Sequence, residues 1–428
     1  MKPEVRTAVM KTQTNKNTYN KNGVLVPEVG QIEEALSQAE SMDDFFGKEG
    51  ILAQLFARTL EQMLEGELTA ELGYKKYEAK GRNSGNSRNG KRTKTVKSSG
   101  GDIAVAVPRD RKGEYEPQVL AKYRHNTNEL EKKVIAMHSR GLSTHDIEEM
   151  LQDTYGVSLS AGAVSTITDK VWPLVEQWQN RPLARLYPII YLDALYIKLR
   201  REGHVENVAV YTVLGVDIEG RRDVLGHWVS DGAEGANFWL SVLSDLHSRG
   251  VEDVLIACVD GLSGFSEAIE AVFPHCQVQR CIIHQIRASL KYVVSKDQKA
   301  FVTDLKKIYQ APTREEAETQ LLHLGETWGD KYAIAVRSWD NNWETLATFF
   351  DYPAQIRRLI YTTNTIEGYH RQLRKVTKTK GAFPTPKSIR KLLYLANDRI
   401  VKKWTMPIPN WALILNQLVI RFEDRIGM

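Results

Sequence analysis

The chain is poor in cysteine, with three in 428 residues. So few cannot build a disulfide framework, which excludes the small cross-linked secreted class and makes a reducing, cytoplasmic compartment the expectation. Long apolar runs are missing too. Nothing approaches the roughly 18–20 consecutive apolar residues that a membrane span needs, so no membrane partner is expected. The opening stretch "MKPEVRTAVMKTQTNKNTYNKNG" has no apolar h-region, which argues against a secretory leader. No internal repeat of solenoid period occurs. Zinc is not expected either. Cys281 and His284 form a C-x-x-H half-site, but Cys258, Cys276 and the scattered histidines supply no second half at matching spacing.

What is present is an ordinary globular composition, 42% hydrophobic and 26% charged, in a chain long enough for two or three domains. The net charge of +5 is mild but unevenly placed. Residues 75–133 hold sixteen Lys and Arg against seven Asp and Glu, and residues 371–403 hold eleven against one. Two basic blocks on a nearly balanced chain point to a polyanion, because clustered cations release counterions from phosphates on binding. Solvated surface or a disordered tail is the competing account.

Residues 1–45 are polar and aperiodic, and read as a flexible tail. From Ile51 to Leu72 apolar residues recur at i, i+3 and i+4, which predicts an amphipathic helix that packs or dimerises. The next stretch, "KGRNSGNSRNGKRTKTVKSSGG", is too rich in Gly, Ser and Asn to bury a core. As a basic loop it can follow a nucleic-acid backbone through Arg82, Arg88, Lys91, Arg92, Lys94 and Lys97; a plain linker is the alternative. "DIAVAVPRDRKGEYEPQVL" alternates about a turn and predicts two short strands. Residues 129–171 read as three short helices, with Ser143 (partnered by Asp146) and Ser160 as caps. This matches a helix-turn-helix whose last helix would bring Ser165 and Thr168 near base edges.

From Tyr187 the grammar changes. "YPIIYLDALYIKL", "ENVAVYTVLGVDI" and "RDVLGHWVS" predict a three-stranded antiparallel meander. A helix over 236–248, the strand "VLIACVD", a helix over 266–273, the strand "CQVQRC" and a helix over 282–294 follow. In that order the first and fourth strands can lie side by side. Asp193 interrupts the first strand and Asp260 closes the fourth, where binding sites of open α/β sheets tend to lie. Two adjacent carboxylates repel unless a divalent cation neutralises them, and hard oxygen ligands favour Mg²⁺ or Mn²⁺. Each Asp alone could instead be a turn former or a helix cap.

The stretch "NTIEGYHRQLRKVTKTKG", residues 364–381, reads as an amphipathic helix with Ile366, Tyr369, Leu373 and Val376 on its apolar face. Glu367, Arg371, Arg374, Lys375 and Lys378 fall on the other. Glu367 fits a capping box with Asn364 as N-cap and an i,i+4 pair with Arg371. It also fits a third metal ligand, with the cations behind it holding phosphates.

"YLDALYIK", "LIACVDGLSGF", "QRCIIHQIRASL" and "YTTNTIEGYHRQLRK" together resemble the Mutator-type transposases of bacterial insertion sequences, which belong to the DDE transposases. The likeness runs from about Ile51 to Trp404. It implies a multidomain α+β/α fold: a ribonuclease-H-like core with a mixed sheet, an all-α insertion and N-terminal helical DNA-binding domains. The acidic triad falls by resemblance on Asp193, Asp260 and Glu367, as ligands of two Mg²⁺ (or Mn²⁺) ions. Related superfamilies carry a Cys/Asp-x-x-His signature, which makes His284 a catalytic candidate that orients a phosphate or a triad member, with Cys281 as packed core. The implied plan is a tail at 1–45, a DNA-binding and dimerisation region at 46–125 and a helix-turn-helix-like domain at 126–180. Core segments at 181–295 and 351–404 then flank a helical insertion at 296–350 that carries Trp328, Trp339 and Trp343, and a C-terminal tail occupies 405–428.

The implied activity is binding of terminal inverted repeats in double-stranded DNA, Mg²⁺-dependent strand cleavage, and strand transfer to a target. The implied enzyme is a bacterial, nucleoid-associated homodimer. A structure-specific nuclease or a catalytically inactive DNA-binding regulator on the same fold is the alternative. A glycosidase with paired carboxylates gains nothing from two basic blocks.

Overall fold

Leu64 and Leu68 stand four residues apart on the predicted first helix, and both are fully buried. The computed structural model describes residues 50–426 except 83, 99–100, 122–125, 231–235 and 262–263. Before residue 50 it describes only 18–19, 25–26, 37 and 44, where β1 (Thr18–Tyr19) pairs antiparallel with β2 (Leu25–Val26). The rest of the stretch expected as a tail at 1–45 lies outside the described residues. The chain forms two compact units, residues 1–136 with 144–167, and residues 137–143 with 168–428.

In the first unit, helix α1 spans Ile51–Leu72 as the periodicity predicts, and stops at Gly73 in the left-handed conformation (φ 74°). Its Leu64 packs with Val96, Ile103, Val105 and Val107. Those residues belong to a hairpin of β3 (Arg88–Ser98) and β4 (Gly101–Asp110). This corrects two expectations. The basic stretch is a coreless loop only up to residue 87, and residues 101–110 form one strand paired with β3 rather than half of a later hairpin. Val96 before the turn and the alternating Ile103, Val105 and Val107 after it give the ribbon one buried face, and α1 covers it. Helices α2 (Asn128–Ser139), α3 (Thr144–Tyr155) and α4 (Ala161–Asp169) follow. Ser160 accepts the Ala163 N–H at 3.2 Å and caps α4 as expected.

In the second unit, α5 (Trp172–Gln179) leads into a five-stranded mixed sheet. Strands β5 (Leu186–Arg201), β6 (His204–Val216) and β7 (Arg222–Val229) form the predicted antiparallel meander. After α6 (Ala236–Ser248), β8 (Asp253–Val259) returns parallel to β5 on its free side. After α7 (Phe265–Val272), β9 (Gln277–Arg280) adds parallel to β8, giving the order β7-β6-β5-β8-β9.

The sheet separates two apolar layers. On one face Ile190 and Leu192 of β5 pack with Trp239 and Leu243 of α6 and Ile269 of α7. On the other, Tyr191, Leu195, Ile197 and Leu199 pack with helices from later in the chain. These are α8 (Ile282–Leu290, shorter than the predicted 282–294), α9 (Ser295–Tyr309), α10 (Arg314–Trp328), α11 (Ala333–Asn341), α12 (Trp343–Ala347), α13 (Ala354–Ile360), α14 (Asn364–Thr377) and α15 (Pro386–Val401). The stretch 296–350 is therefore helical, and its Trp339 is fully buried, donating its indole N–H to Ser289 Oγ at 3.0 Å. Residues 405–428, expected as a tail, instead carry α16 (Trp411–Arg421). Trp411, Ile414 and Leu418 recur at helical spacing and are buried in the core.

Candidate active site

Strand β5 meets β8 in parallel register through Leu192 opposite Val259. One residue further on come Asp193 and Asp260, so the register carries the two carboxylates to neighbouring positions at the end of the shared ladder. Side chains alternate across a strand, and Asp193 shares its face with Tyr191 and Leu195, beneath α14. It is only 8% exposed. Its Oδ1 accepts the Ala194 N–H at 2.8 Å, and its Oδ2 lies 3.0 Å from Nδ1 of the fully buried His370 on α14.

Glu367 stands three residues before His370 and so shares its side of α14. Its Oε1 accepts from Arg287 Nη1 at 2.7 Å and lies 3.1 Å from His284 Nε2, both on α8. The helix takes Thr363 as N-cap with no side-chain cap bond. The capping box from Asn364 is therefore corrected: α8 is close enough to turn the carboxylate inward. His284 and Arg287 both feel the charge of Asp193, and His284 that of Asp260 as well. The three acids thus share one electrostatic neighbourhood, with cations between them.

His284 is pushed up to about 9, foremost by its hydrogen bond with the Cys281 sulfur, against a desolvation that pulls it down. Burial raises the Cys281 thiol, but hydrogen bonds from His284 and Thr363 outweigh it and hold the group below its usual range. Thr363 supplies both its N–H and its hydroxyl to that sulfur, each at 3.4 Å. Cys281 is buried as expected and also ties the start of α14 to the start of α8. Arg280 of β9 lies beside Asp260, bonds the Gly261 carbonyl and Asn342, and has its pKa lowered by burial. A Cβ on Gly261 would stand 2.6 Å from Arg280 Nε, so a larger residue here would push the guanidinium aside.

The donor chemistry fits a hard divalent cation, since the three carboxylates are oxygen donors gathered around the cations Arg287, His284 and Arg280. Among the described residues no three His, Cys, Asp or Glu side chains stand together closely enough to hold an ion as placed. As placed, Glu367 Oε1 is held by Arg287 and His284.

Beneath the acids runs a buried chain of polar groups that sequence reasoning missed. Tyr369 donates its hydroxyl proton to Asn397 Oδ1 at 3.0 Å, so His227 Nε2–H must donate to the Tyr369 oxygen, 2.8 Å away. His227 Nδ1 then accepts from Thr212 Oγ1 at 3.2 Å. Burial lowers the His227 pKa to about 3, which keeps the ring in this neutral tautomer. The chain links β6, β7, α14 and α15 and locks the helix that carries Glu367 and His370. The available signal was weak: His370 and Arg287 sit at i+3 from Glu367 and His284, but their contacts cross the fold.

The expected DNA contacts fare unevenly. Arg371, Arg374 and Lys375 on α14, opposite the buried Ile366, Tyr369, Leu373 and Val376, and Lys378 just past its end are all exposed. Arg82, Lys91 and Arg92 are exposed, with Lys91 3.3 Å from Glu65. Three others are corrected. Arg88 is half-buried and donates to Thr69 Oγ1 and the Tyr74 carbonyl. Lys94 is buried and donates to the Ala121 carbonyl at 2.7 Å, with its pKa lowered by that burial. Both side chains turn onto neighbouring parts of the first unit rather than outward, because β3 is a strand and not a loop. Thr168 is 1% exposed and accepts from Lys391 Nζ at 3.3 Å, so the outward residues of α4 are Ala161, Gly162 and Thr166. Ser165 is half-buried, and the half-buried Lys97 donates to the Ser158 carbonyl.

No described helix is long and apolar enough to cross a membrane. Comparison with known proteins identifies the family. The family described as "Transposase, Mutator family" matches residues 29–406. The probable transposase for insertion sequence element ISRM3-like of Sinorhizobium fredii is 40% identical over 383 residues, 89% of this chain and 95% of the relative. The transposase for insertion sequence element ISRM3 of Rhizobium meliloti is 39% identical over 383 residues, with the same two coverages. A chain of the Drosophila P element transposase strand transfer complex aligns over 74% of this chain and 83% of its own, at 10% identity and a TM-score of 0.31. The match to the family spans most of the sequence: this chain belongs to the Mutator family of transposases.

Proposed function

We propose that this transposase serves an insertion sequence by binding the element's terminal inverted repeats, cutting a strand at each end and joining the freed 3′ hydroxyl to target DNA. The carrying observation is the register that sets Asp193 beside Asp260 under the helix that bears Glu367. The strand order and directions support a ribonuclease-H-like core, and Asp193, Asp260 and Glu367 are the proposed ligands of two Mg²⁺ or Mn²⁺ ions. When bound, such ions activate a water and stabilise the departing 3′ oxygen during in-line displacement.

The chain's own residues do the rest. His370 lies against the Asp193 carboxylate on the core side. Arg287 and His284 keep Glu367 neutralised until it turns, and then remain as cations facing the scissile phosphate. The exposed Arg371, Arg374, Lys375 and Lys378 hold the cleaved end, while Arg82, Lys91 and Arg92 follow the backbone of the terminal repeat. No covalent intermediate is needed, in keeping with the absence of a Ser or Tyr nucleophile motif. Two ends must be cut and joined, so at least a homodimer is proposed; Leu52 and Phe56, 43% and 42% exposed on α1, are suited to its interface.

The test is substitution of Asp193, Asp260 or Glu367 by Ala, with nicking of DNA that carries the terminal repeats and Mn²⁺ binding as separate readouts. Loss of both in each variant is expected. Full nicking in any one of them overturns the assignment.

A further inference from the structure

We propose that the outer face of the ribbon formed by β5 and β6, with Tyr196, Lys198 and Arg200 at its centre, binds the target duplex. This assignment rests on the strand-transfer chemistry proposed above. Strand β8 accompanies β5 only as far as Leu192, yet β5 runs on to Arg201 with β6 beside it. The ribbon ends in a tight turn with positive φ at Glu202 (49°) and Gly203 (82°), as a two-residue hairpin requires.

Along this extension the two faces differ completely. Leu195, Ile197 and Leu199 are buried on the face of Asp193 and α14, whereas Tyr196, Lys198 and Arg200 are exposed on the other. The register puts Asn207 opposite Lys198 and Val205 opposite Arg200, so β6 adds no carboxylate to the outer face. Glu206 sits opposite Leu199, on the inner face, where Arg201 meets it at 3.2 Å. Two cations beside an aromatic ring, on a sheet face to which neither β5 nor β6 adds a carboxylate, suit the phosphates of a duplex laid across it better than an acidic peptide. At about 3.3 Å per residue, Arg200 lies about 23 Å along the strand from Asp193, roughly two-thirds of a DNA turn.

Geometry also separates this surface from the donor site. The α14 cations belong to the helix that covers the Asp193 face, while Lys198 and Arg200 project from the opposite face of the same strand. One duplex cannot lie flat on both sides of a sheet. Strand transfer brings two duplexes to one set of acids, and the ribbon is the second support.

The experiment uses the full chain with a donor end whose 3′ hydroxyl is already exposed, and a plasmid as target. The double variant Lys198→Glu/Arg200→Glu is expected to join at least 10-fold fewer ends at subsaturating target. Raising the target concentration should restore joining, as a KM effect does. The milder Lys198→Gln/Arg200→Gln should lower the salt slope of target binding by about 1.8, at about 0.9 per lost phosphate contact. An unchanged slope, or a defect relieved by more donor instead of more target, overturns the proposal. So does a change in oligomeric state with target affinity intact, which makes the ribbon a contact between copies of this chain. If the wild-type chain joins no ends at all, the strand-transfer reading fails instead, and the salt slope still reports on the ribbon.

Discussion

Tyr369→Phe removes one oxygen from the middle of the polar chain beneath the acids. Its hydroxyl is the acceptor for His227 Nε2–H at 2.8 Å and the donor to Asn397 at 3.0 Å. Tyr369, His227 and Asn397 are all buried, at 1%, 3% and 4% exposure, so water cannot replace what is lost. Each stranded polar group costs about 1–3 kcal/mol, which places the variant about 2–6 kcal/mol below the parent. The ring itself still fills its space, so little cavity term is added. Urea unfolding followed by tryptophan fluorescence measures the loss. A companion variant, Tyr369→Phe/Asn397→Leu, removes the stranded carbonyl and should recover about 1 kcal/mol. Nicking should fall as well, because Glu367 and His370 flank Tyr369 on the helix it anchors. A loss below about 0.5 kcal/mol would show that the chain of hydrogen bonds does not hold α14.

Acid should destabilise the fold early. Burial depresses His138 and His227 to about 3, helped at His138 by Lys380 and Lys391 and at His227 by His370 and Arg181. The unfolded chain takes up those protons below about 6.5 and the folded chain does not, so stability is full above that pH and lost as pH falls toward 3, by about 2 kcal/mol per histidine at pH 5. Urea midpoints that stay flat between pH 7 and 5 would refute this, and His227→Gln should remove one proton from the slope. Arg92→Ala should lower the salt slope of DNA binding by about 0.9, whereas Lys94→Met should leave it alone, because Lys94 faces the Ala121 carbonyl; equal slopes for the two would restore the loop reading of that strand. Gly220→Ala should lower the melting midpoint by several degrees, since the position has φ +76° and a Cβ there would stand 2.3 Å from Trp411 Cγ. A melting curve like the parent's would show that α16 gives way without loss.

Periodicity reports which way a side chain faces relative to its own element, so the apolar stripe of α14 and the meander from β5 to β7 were legible at once. The parallel return of β8 followed from the helix that separates it from the meander, and with it the meeting of Asp193 and Asp260 at one end of the sheet. The basic hairpin was misread because Gly, Ser and Asn dominate its first half, while the alternation that makes a strand of it starts only near Val96. Thr168 reads as outward in the sequence because a nine-residue helix offers only about two and a half turns from which to set a phase. Contacts that span the fold leave no period at all. Arg287 meets Glu367 across eighty positions and Tyr369 meets His227 across 142, and both depend on how α8 and α14 cross the sheet. The residues that would carry the chemistry therefore announce themselves as exceptions to local pattern. The residues that aim them look like ordinary members of it, and only packing tells them apart.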